Sequence, residues 1–511
     1  MLTHPIPSDA DGVVTPGQPH ACVIGSGFGG LAAAIRLLAR GYRVTVLERL
    51  DSPGGRASVF RQDGFTFDAG PTIITAPFLL EELWALAGRK LSDDVDLRPL
   101  EPFYTIRFSD GEVFRACSDR AQLRAEVARL SPGDVDGYER FMGVAEQIYR
   151  IGFEKLGHVP FDKIMDMVRL VPELMRLESY RTIYGLAAKY VKDERLRFVL
   201  SFHPLFVGGN PFKVTAIYGL IPYLEHRYGV HFVMGGTGAL VTAMASLVKH
   251  MGGRIQYGSE VERILLKGRR ATGVLLKGGE ALAADVVVSN ADVAWTYKHM
   301  LPASARRTWT NRRLDRARYS MSLFVWYFGT KRRYEDVPHH TIVLGPRYRE
   351  LLEDIFERKV LADDFSLYLH RPTATDPSLA PQGCDTFYVL APVPHLEAGI
   401  DWETAAEPYR KRIQAFLEKT VLPGLGEQVI SSKIMTPQDF RDRLLSLKGA
   451  AFAFEPVLSQ SAYFRPHNKS EDIERLYLVG AGTHPGAGVP GVISSAKVLD
   501  TVVPHANACR L

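Results

Sequence analysis

The sequence predicts an α/β protein organised around a Rossmann-like dinucleotide-binding unit, and three observations carry that expectation. Ala21 to Arg56, ACVIGSGFGGLAAAIRLLARGYRVTVLERLDSPGGR, reads as strand, glycine turn, helix, second strand and terminal acid, the order of a βαβ unit. Strand pattern is then interrupted by a helical stretch and resumes near Arg254. A second strand, glycine turn and helix, Leu476 to Lys497, lies near the end. The expected organisation is a discontinuous dinucleotide domain (20–75 with 229–300 and 465–505), a mixed-sheet substrate domain (76–130 with 301–464), a helical insertion (131–228), and a disordered lead-in (1–19).

Ala21 to Ile24 is a short buried strand, and Gly25, Gly27 and Gly30 supply G-x-G-x-x-G, with Phe28 and Gly29 between. The first glycine permits the tight turn, the second lets backbone approach a pyrophosphate, and the third lets helix and strand pack closely. The helix, Leu31 to Arg40, points its unpaired N-terminal N–H groups at the phosphates. A second strand, Tyr42 to Leu47, ends on Glu48, placed to accept a ribose hydroxyl. An acid there disfavours a 2′-phosphate, and so NADP. Pro53-Gly54-Gly55-Arg56 and then Gly64 to Thr72 suit a cofactor that continues past its diphosphate toward a flavin ring, with Gly70 admitting close backbone. FAD is expected rather than NAD.

At 511 residues, 46% hydrophobic and 23% charged, the chain has an ordinary globular composition and enough length for two or three domains. A net charge of +5 is a mild excess, compatible with an anionic membrane surface, and no nucleic-acid partner is expected. Cys22, Cys117, Cys384 and Cys509 are far apart and form no C-x-x-C, so neither a disulfide framework nor zinc is indicated and a reducing compartment is expected. The histidines, His339-His340 included, show no ligand spacing, so no metal is expected. The lead-in has neither a basic nor an apolar signal region, and no run of eighteen apolar residues would span a membrane.

Beyond Thr72, short strands at Phe103 to Phe108 and Glu112 to Arg115 precede a helical stretch opened by Ser131-Pro132. Within it Phe161 to Tyr190 is apolar and basic, and Pro172 is expected to divide it into two helices. A pair of helices in a membrane interface and a lid packed on the core both fit; in the first case Met167, Leu170 and Leu174 would dip into lipid, with Lys163, Arg169, Arg176 and Arg181 at the headgroups. Strands follow at Arg254 to Tyr257, Val261 to Leu265, Ala271 to Leu276, Asp285 to Ser289, Leu323 to Phe328, Phe365 to Leu369 and Thr386 to Pro392, with a helix over Thr404 to Leu417. Arg306, Arg307, Arg312, Arg313, Arg316 and Arg318 read as a solvated helix face, with anionic lipid as the other reading.

Leu476 to Lys497, LYLVGAGTHPGAGVPGVISSAK, has no following strand to carry a second ribose acid, so it is expected to return to the first sheet and serve the same cofactor. Its helix start, Val489 to Gly491, would put a positive dipole end near the reduced flavin ring. With Gly25 to Arg56, Phe65 to Thr72, Ser289-Asn290-Ala291-Asp292 and Thr436 to Phe440, this segment resembles the bacterial-type phytoene desaturases, FAD-dependent carotenoid dehydrogenases, from about His20 to Val502. The resemblance implies a Rossmann-like FAD-binding domain, a mixed-sheet substrate domain and a membrane-facing helical insertion. The cofactor-binding set it implies is Gly25, Gly27, Phe28, Gly29, Gly30, Glu48 and Arg49, then Gly55, Arg56, Gly70, Pro71 and Thr72, then Val261, and finally Gly480, Gly482, Thr483, Val489 and Pro490.

It also implies phytoene and later carotene intermediates as substrates, desaturated in successive steps toward neurosporene or lycopene. A cytoplasmic enzyme, peripheral on the inner membrane and reoxidised by a quinone or oxygen, completes the expectation. Each step removes a hydride from one carbon and a proton from its neighbour. A cation beside a polyene is delocalised, so a weak base or water would suffice, and no catalytic side chain is singled out. Asp68, which could lie near the flavin, is read as structural. The rivals are a later carotenoid dehydrogenase, a carotenoid isomerase, a flavin amine oxidase and a non-enzymatic prenyl-protein escort. The Gly25 motif with Gly54-Gly55-Arg56 argues against the escort, and Leu476 to Lys497 against the amine oxidase.

Overall fold

A computed structural model describes residues 17–510, so the expected lead-in lies almost wholly outside the described residues. The chain opens with β1 (His20–Ile24), α1 (Phe28–Ala39) and β2 (Arg43–Leu47). The helical stretch contains α2 (Ile164–Arg176) and α3 (Leu220–Tyr228). After it come α4 (Thr237–His250), β3 (Arg254–Gln256) and β4 (Val286–Ser289), and near the end β5 (Leu476–Leu478) and α5 (Val489–Val502).

These strands form one parallel sheet in the order β5-β4-β1-β2-β3, with Val23 of β1 opposite Val46 of β2 and Val288 of β4. A parallel sheet is covered on both faces, which is why every residue of β1 and β4 is buried and their sequences run apolar without alternation. The C-terminal segment does return to this sheet: β5 pairs with β4, Tyr477 opposite Val288. On one face α1 packs against α5, and Ala32, Ala33 and Ala34 are fully buried because only small side chains let helix and neighbours approach so closely.

The second sheet has seven strands in the order Val429–Met435, Ser322–Thr330, Asp385–Val393, Leu367–His370, His340–Val343, Tyr104–Arg107 and Val113–Ala116. It is mixed, as expected, with one parallel pair where His340–Val343 meets Tyr104–Arg107. All nine residues of Ser322–Thr330 are buried.

Two expectations are corrected. Pro172 does not split its segment: it sits inside α2, on a turn where Val168 and Pro172 are both exposed, so the carbonyl that loses its N–H partner has access to water. The break comes later, at Glu178 with φ +51°, and Thr182 caps the next helix, Ile183–Tyr190. Nor do the six arginines share one solvated face. Arg306 is buried and donates to the Trp309 carbonyl at 3.0 Å, Arg313 stacks on Trp309, and Arg318 pairs with Glu455 at 2.6 Å. Among the described residues no helix is long and apolar enough to cross a membrane.

Candidate functional site

A cavity of about 570 Å³ runs from the glycine turn after β1 to the inner side of α2. At its first end Gly25 has φ +90°, and Gly27 caps α1 without any side-chain hydrogen bond, leaving the helix N-terminal N–H groups free. A Cβ on residue 30 would stand 2.0 Å from the Gly25 carbonyl oxygen, so only glycine lets α1 leave the sheet here. Glu48, buried at the end of β2, accepts from the Ser26 N–H at 2.8 Å and Oγ at 2.7 Å, and from the Leu50 N–H at 2.9 Å. Besides the ribose contact expected of it, it therefore braces the glycine turn.

The Pro53 to Thr72 stretch wraps the same end. A Cβ at Gly70 would meet the Arg56 carbonyl oxygen at 1.9 Å, which accounts for the glycine. Arg56 donates to Ser446 Oγ at 2.8 Å and lies 3.9 Å from Asp292, while Arg49 donates to the carbonyls of Asp442 and Arg443. Three buried guanidinium nitrogens on this wall, Nε of Arg49, Arg56 and Arg443, make no hydrogen bond, although Arg49 Nε faces Glu260 at 3.5 Å. From the other side comes α5, capped by Gly488, also without a side-chain cap. Two uncapped helix N-termini and guanidinium N–H groups with spare hydrogen-bonding capacity around one cleft are what an anionic diphosphate and an electron-rich ring require, so these residues fit a flavin dinucleotide.

Of the expected cofactor residues, Gly25, Gly27, Phe28, Gly29, Glu48, Arg49, Gly55, Arg56, Gly70, Pro71, Thr72, Val261, Gly480, Gly482, Val489 and Pro490 line this cavity. Gly30 and Thr483 stand behind its wall. Gly30 serves the helix–strand packing, and Thr483 is fully buried with its hydroxyl on the Gly480 carbonyl. Asn290 was not singled out, yet its amide lies against the turn, where Cβ atoms on Gly27 and Gly29 would meet it at 2.9 and 2.5 Å. Its neighbours Ser289 to Asp292 formed a recognisable tetrad in the sequence; its contact with Gly27 depends on the pairing of β4 with β1. Asp68 is outside the cavity wall and accepts from the Thr237 and Gly238 N–H groups, anchoring the start of α4. Burial pushes its carboxyl up to about 6.

Farther in, the wall is almost wholly apolar, with Leu205, Phe206, Ile217, Leu323 and Val325 among its residues. Met167, Leu170 and Leu174 of α2 belong to this inner wall and do not point outward; the outward, exposed side of α2 carries Ile164, Met165, Val168, Val171 and Met175. Two polar groupings interrupt the apolar lining. Thr72 Oγ1 joins Tyr388 Oη at 2.7 Å and Tyr368 Oη at 2.9 Å, and Tyr368 reaches His340 Nδ1 at 2.6 Å. Glu225, on α3, holds His203 Nε2 at 3.1 Å and accepts from Tyr104 Oη at 2.8 Å. No sequence signal marks Glu225 and His203 as partners, since they lie on separate segments with no motif between them.

His339, His340 and His370 form a buried cluster behind Tyr368, with ligand-capable atoms within 4.8 Å of one another. His339 and His340 are adjacent in the chain, but His370 joins them only because the neighbouring strands His340–Val343 and Leu367–His370 pair. Burial holds His340 and His370 well below the ordinary imidazole range and, with the Arg371 charge adding to it, brings His339 to about 3, so all three stay neutral. Four of their six nitrogens serve one another and nearby hydroxyls, with His370 Nε2 on His339 Nε2 at 3.0 Å and His339 Nδ1 on Thr375 Oγ1 at 2.7 Å, while His340 Nε2 and His370 Nδ1 are buried without a partner. With Arg371 rather than a carboxylate as the adjacent charge, the cluster is built as polar packing of the sheet.

The family model for flavin containing amine oxidoreductases matches residues 28–498. The chain is 52% identical over 498 residues to a phytoene desaturase (neurosporene-forming) of Rhodobacter capsulatus, covering 96% of this chain and 95% of that protein. It is 49% identical over 476 residues to a phytoene desaturase (lycopene-forming) of Pantoea ananas, covering 93% and 97%. Among solved structures, a putrescine oxidase variant superposes with a TM-score of 0.63 at 14% identity, covering 96% of this chain and 98% of that one. An oxidoreductase from Methanosarcina mazei gives 0.62 at 19%, covering 95% and 100%. At these identities the structural likeness speaks for the fold alone.

Proposed function

The chain belongs to the flavin containing amine oxidoreductases, and from that premise we propose that it desaturates phytoene, drawing the hydrocarbon from a membrane into the cavity described above. It is an FAD-dependent oxidoreductase acting on carotene C–H bonds. The observation that carries the substrate reading is the continuity of one cavity from a diphosphate cradle to an apolar chamber. When bound, FAD supplies a two-electron acceptor for the hydride. Phe28, Gly27 and Arg56 would hold its diphosphate, Glu48 its ribose, and the start of α5 its ring. The apolar wall would align the polyene and exclude water.

The same wall explains how the substrate arrives. At ~0.8 kcal/mol per CH₂, a C40 hydrocarbon entering water would cost roughly 30 kcal/mol, so it must pass directly from lipid to protein. On α2, Met167, Leu170 and Leu174 face the cavity while Val168, Val171 and Met175 are 53%, 51% and 56% exposed. Lys163, Arg169 and Arg176 flank that exposed face. This two-sided helix supports a peripheral seat on the inner face of the cytoplasmic membrane, with α2 as the entry. In that position a quinone in the bilayer, or oxygen, would reoxidise the flavin. Membranes containing phytoene, incubated with FAD-loaded protein, should develop the absorption of longer-conjugated carotenes; an unchanged spectrum would overturn the assignment.

A further inference from the structure

Four carboxylates line the cavity: Glu48, Glu225, Glu260 and Asp292. Three belong to its cradle end and are committed there. Glu48 is tied to Ser26 and Leu50; Glu260 faces Arg49 and Lys277 at 3.5 and 3.7 Å; Asp292 faces Arg56 and caps the helix Val293–His299 through the Trp295 N–H. Glu225 alone, among the described residues, combines a place in the apolar part with freedom from lysine and arginine. It is 2% exposed, between Leu224 on its own helix and Phe202 and Leu205 on the facing segment.

Its surroundings are built for a proton rather than for a fixed charge. One carboxylate oxygen accepts from Tyr104, the other meets His203 Nε2, and His203 Nδ1 is buried without a hydrogen-bond partner. A buried carboxylate kept only for stability would have a cation or several N–H donors, as the other three have. Besides the Tyr104 phenol, its ionisable partner is an imidazole, which can itself take or give a proton.

Resting on the phytoene reading above, we propose that Glu225 is the proton acceptor of desaturation, with His203 as the group that positions and recharges it. The step balances as follows. A hydride leaves one carbon of the substrate for the bound flavin. The neighbouring carbon loses a proton to the Glu225 carboxylate, and the C–H electron pair becomes the new π bond. Glu225, now a neutral carboxyl, shares the proton with His203, and the pair gives it up to water that enters the cavity when product leaves, before the next step. Oxidation of the hydrocarbon by two electrons thus equals reduction of the flavin by two, and one proton is released for each double bond.

The test compares FAD-loaded proteins on phytoene in liposomes, following carotene formation in an anaerobic single turnover. Wild type must form product; if it does not, the substrate reading fails and Glu225 is not at issue. With wild type active, Glu225→Gln, which keeps the Tyr104 hydrogen bond, should slow product formation by about 10²-fold or more. Its flavin content and the change in flavin spectrum on adding phytoene should stay as in wild type. Glu225→Asp keeps the charge but withdraws it, and should be slowed about 10-fold to 10²-fold. A wild-type rate in Glu225→Gln overturns the proposal. Should that variant load no flavin, a wild-type rate in Glu225→Asp overturns it equally. His203→Gln should slow product formation less than Glu225→Gln; the reverse order would assign the acceptor role to His203 and overturn the proposal.

Discussion

Glu48 and Ser26 share two hydrogen bonds, from the Ser26 N–H at 2.8 Å and its hydroxyl at 2.7 Å, both to the same carboxylate oxygen. The acid that closes the βαβ unit therefore also fixes the turn between β1 and α1. Glu48→Ala should weaken FAD binding by about 2–4 kcal/mol, since charge-assisted bonds to turn and ribose go together. Gly27→Val should be worse, because even its Cβ would stand 2.9 Å from Asn290 Nδ2. Titration of the apoproteins with FAD, read by flavin fluorescence, would rank them; unchanged affinity in Gly27→Val would refute the cradle.

The C-terminal helix is tied to the first through a buried charge. Arg36, 1% exposed, is held by Asp500 at 2.6 Å and Glu82 at 2.7 Å. Asp500→Ala leaves Glu82 as its remaining carboxylate partner and should cost about 1–3 kcal/mol in urea unfolding. Deleting Thr483 to Leu511 removes α5 altogether, with the wall it gives the cavity, and should abolish flavin binding. Full turnover by the truncated protein would show that the tail is dispensable.

Flotation with liposomes addresses α2. Changing the outward residues Val168, Val171 and Met175 to Asp should release the protein from anionic vesicles while FAD stays bound. Changing Met167, Leu170 and Leu174 should instead impair carotene turnover with flotation retained, because those three face the cavity. Equal loss of flotation in both sets would mean that the helix does not divide its faces this way.

Asp68 gives a pH dependence with a defined sign. Burial raises its carboxyl from 3.8 to about 6, so its favourable contribution is complete below about pH 4 and is lost as pH rises through 6. Asp68→Asn, whose single amide oxygen keeps one of the two N–H bonds from Thr237 and Gly238, does not titrate and lacks that loss. Its stability relative to wild type should therefore improve between pH 4 and pH 7, by up to about 3 kcal/mol. Denaturant unfolding at the two pH values would measure the difference, and a constant offset would show that Asp68 does not titrate in this range.

The sequence by itself determined the parts of this protein that depend on local chemistry. The Gly25 turn, the alanine helix, Glu48 and the C-terminal glycine segment were legible because a phosphate cradle needs backbone conformations and close approaches that only certain residues at fixed spacing provide. The α/β architecture, with a parallel and a mixed sheet as its largest sheets, followed from apolar runs of strand length. Tertiary structure alone decided what depends on segments far apart in the chain. It placed Asn290 on the glycine turn, Arg443 in the cavity wall, Glu225 beside His203, and His370 beside the His339-His340 pair. It also decided which side of α2 faces in. An amphipathic pattern identifies a stripe of apolar residues, but α2 is apolar on both the cavity side and the exposed side. Periodicity cannot tell these apart, because a hydrocarbon-lined chamber and a lipid surface ask for the same side chains, and only the packing of the neighbouring segments distinguishes one from the other.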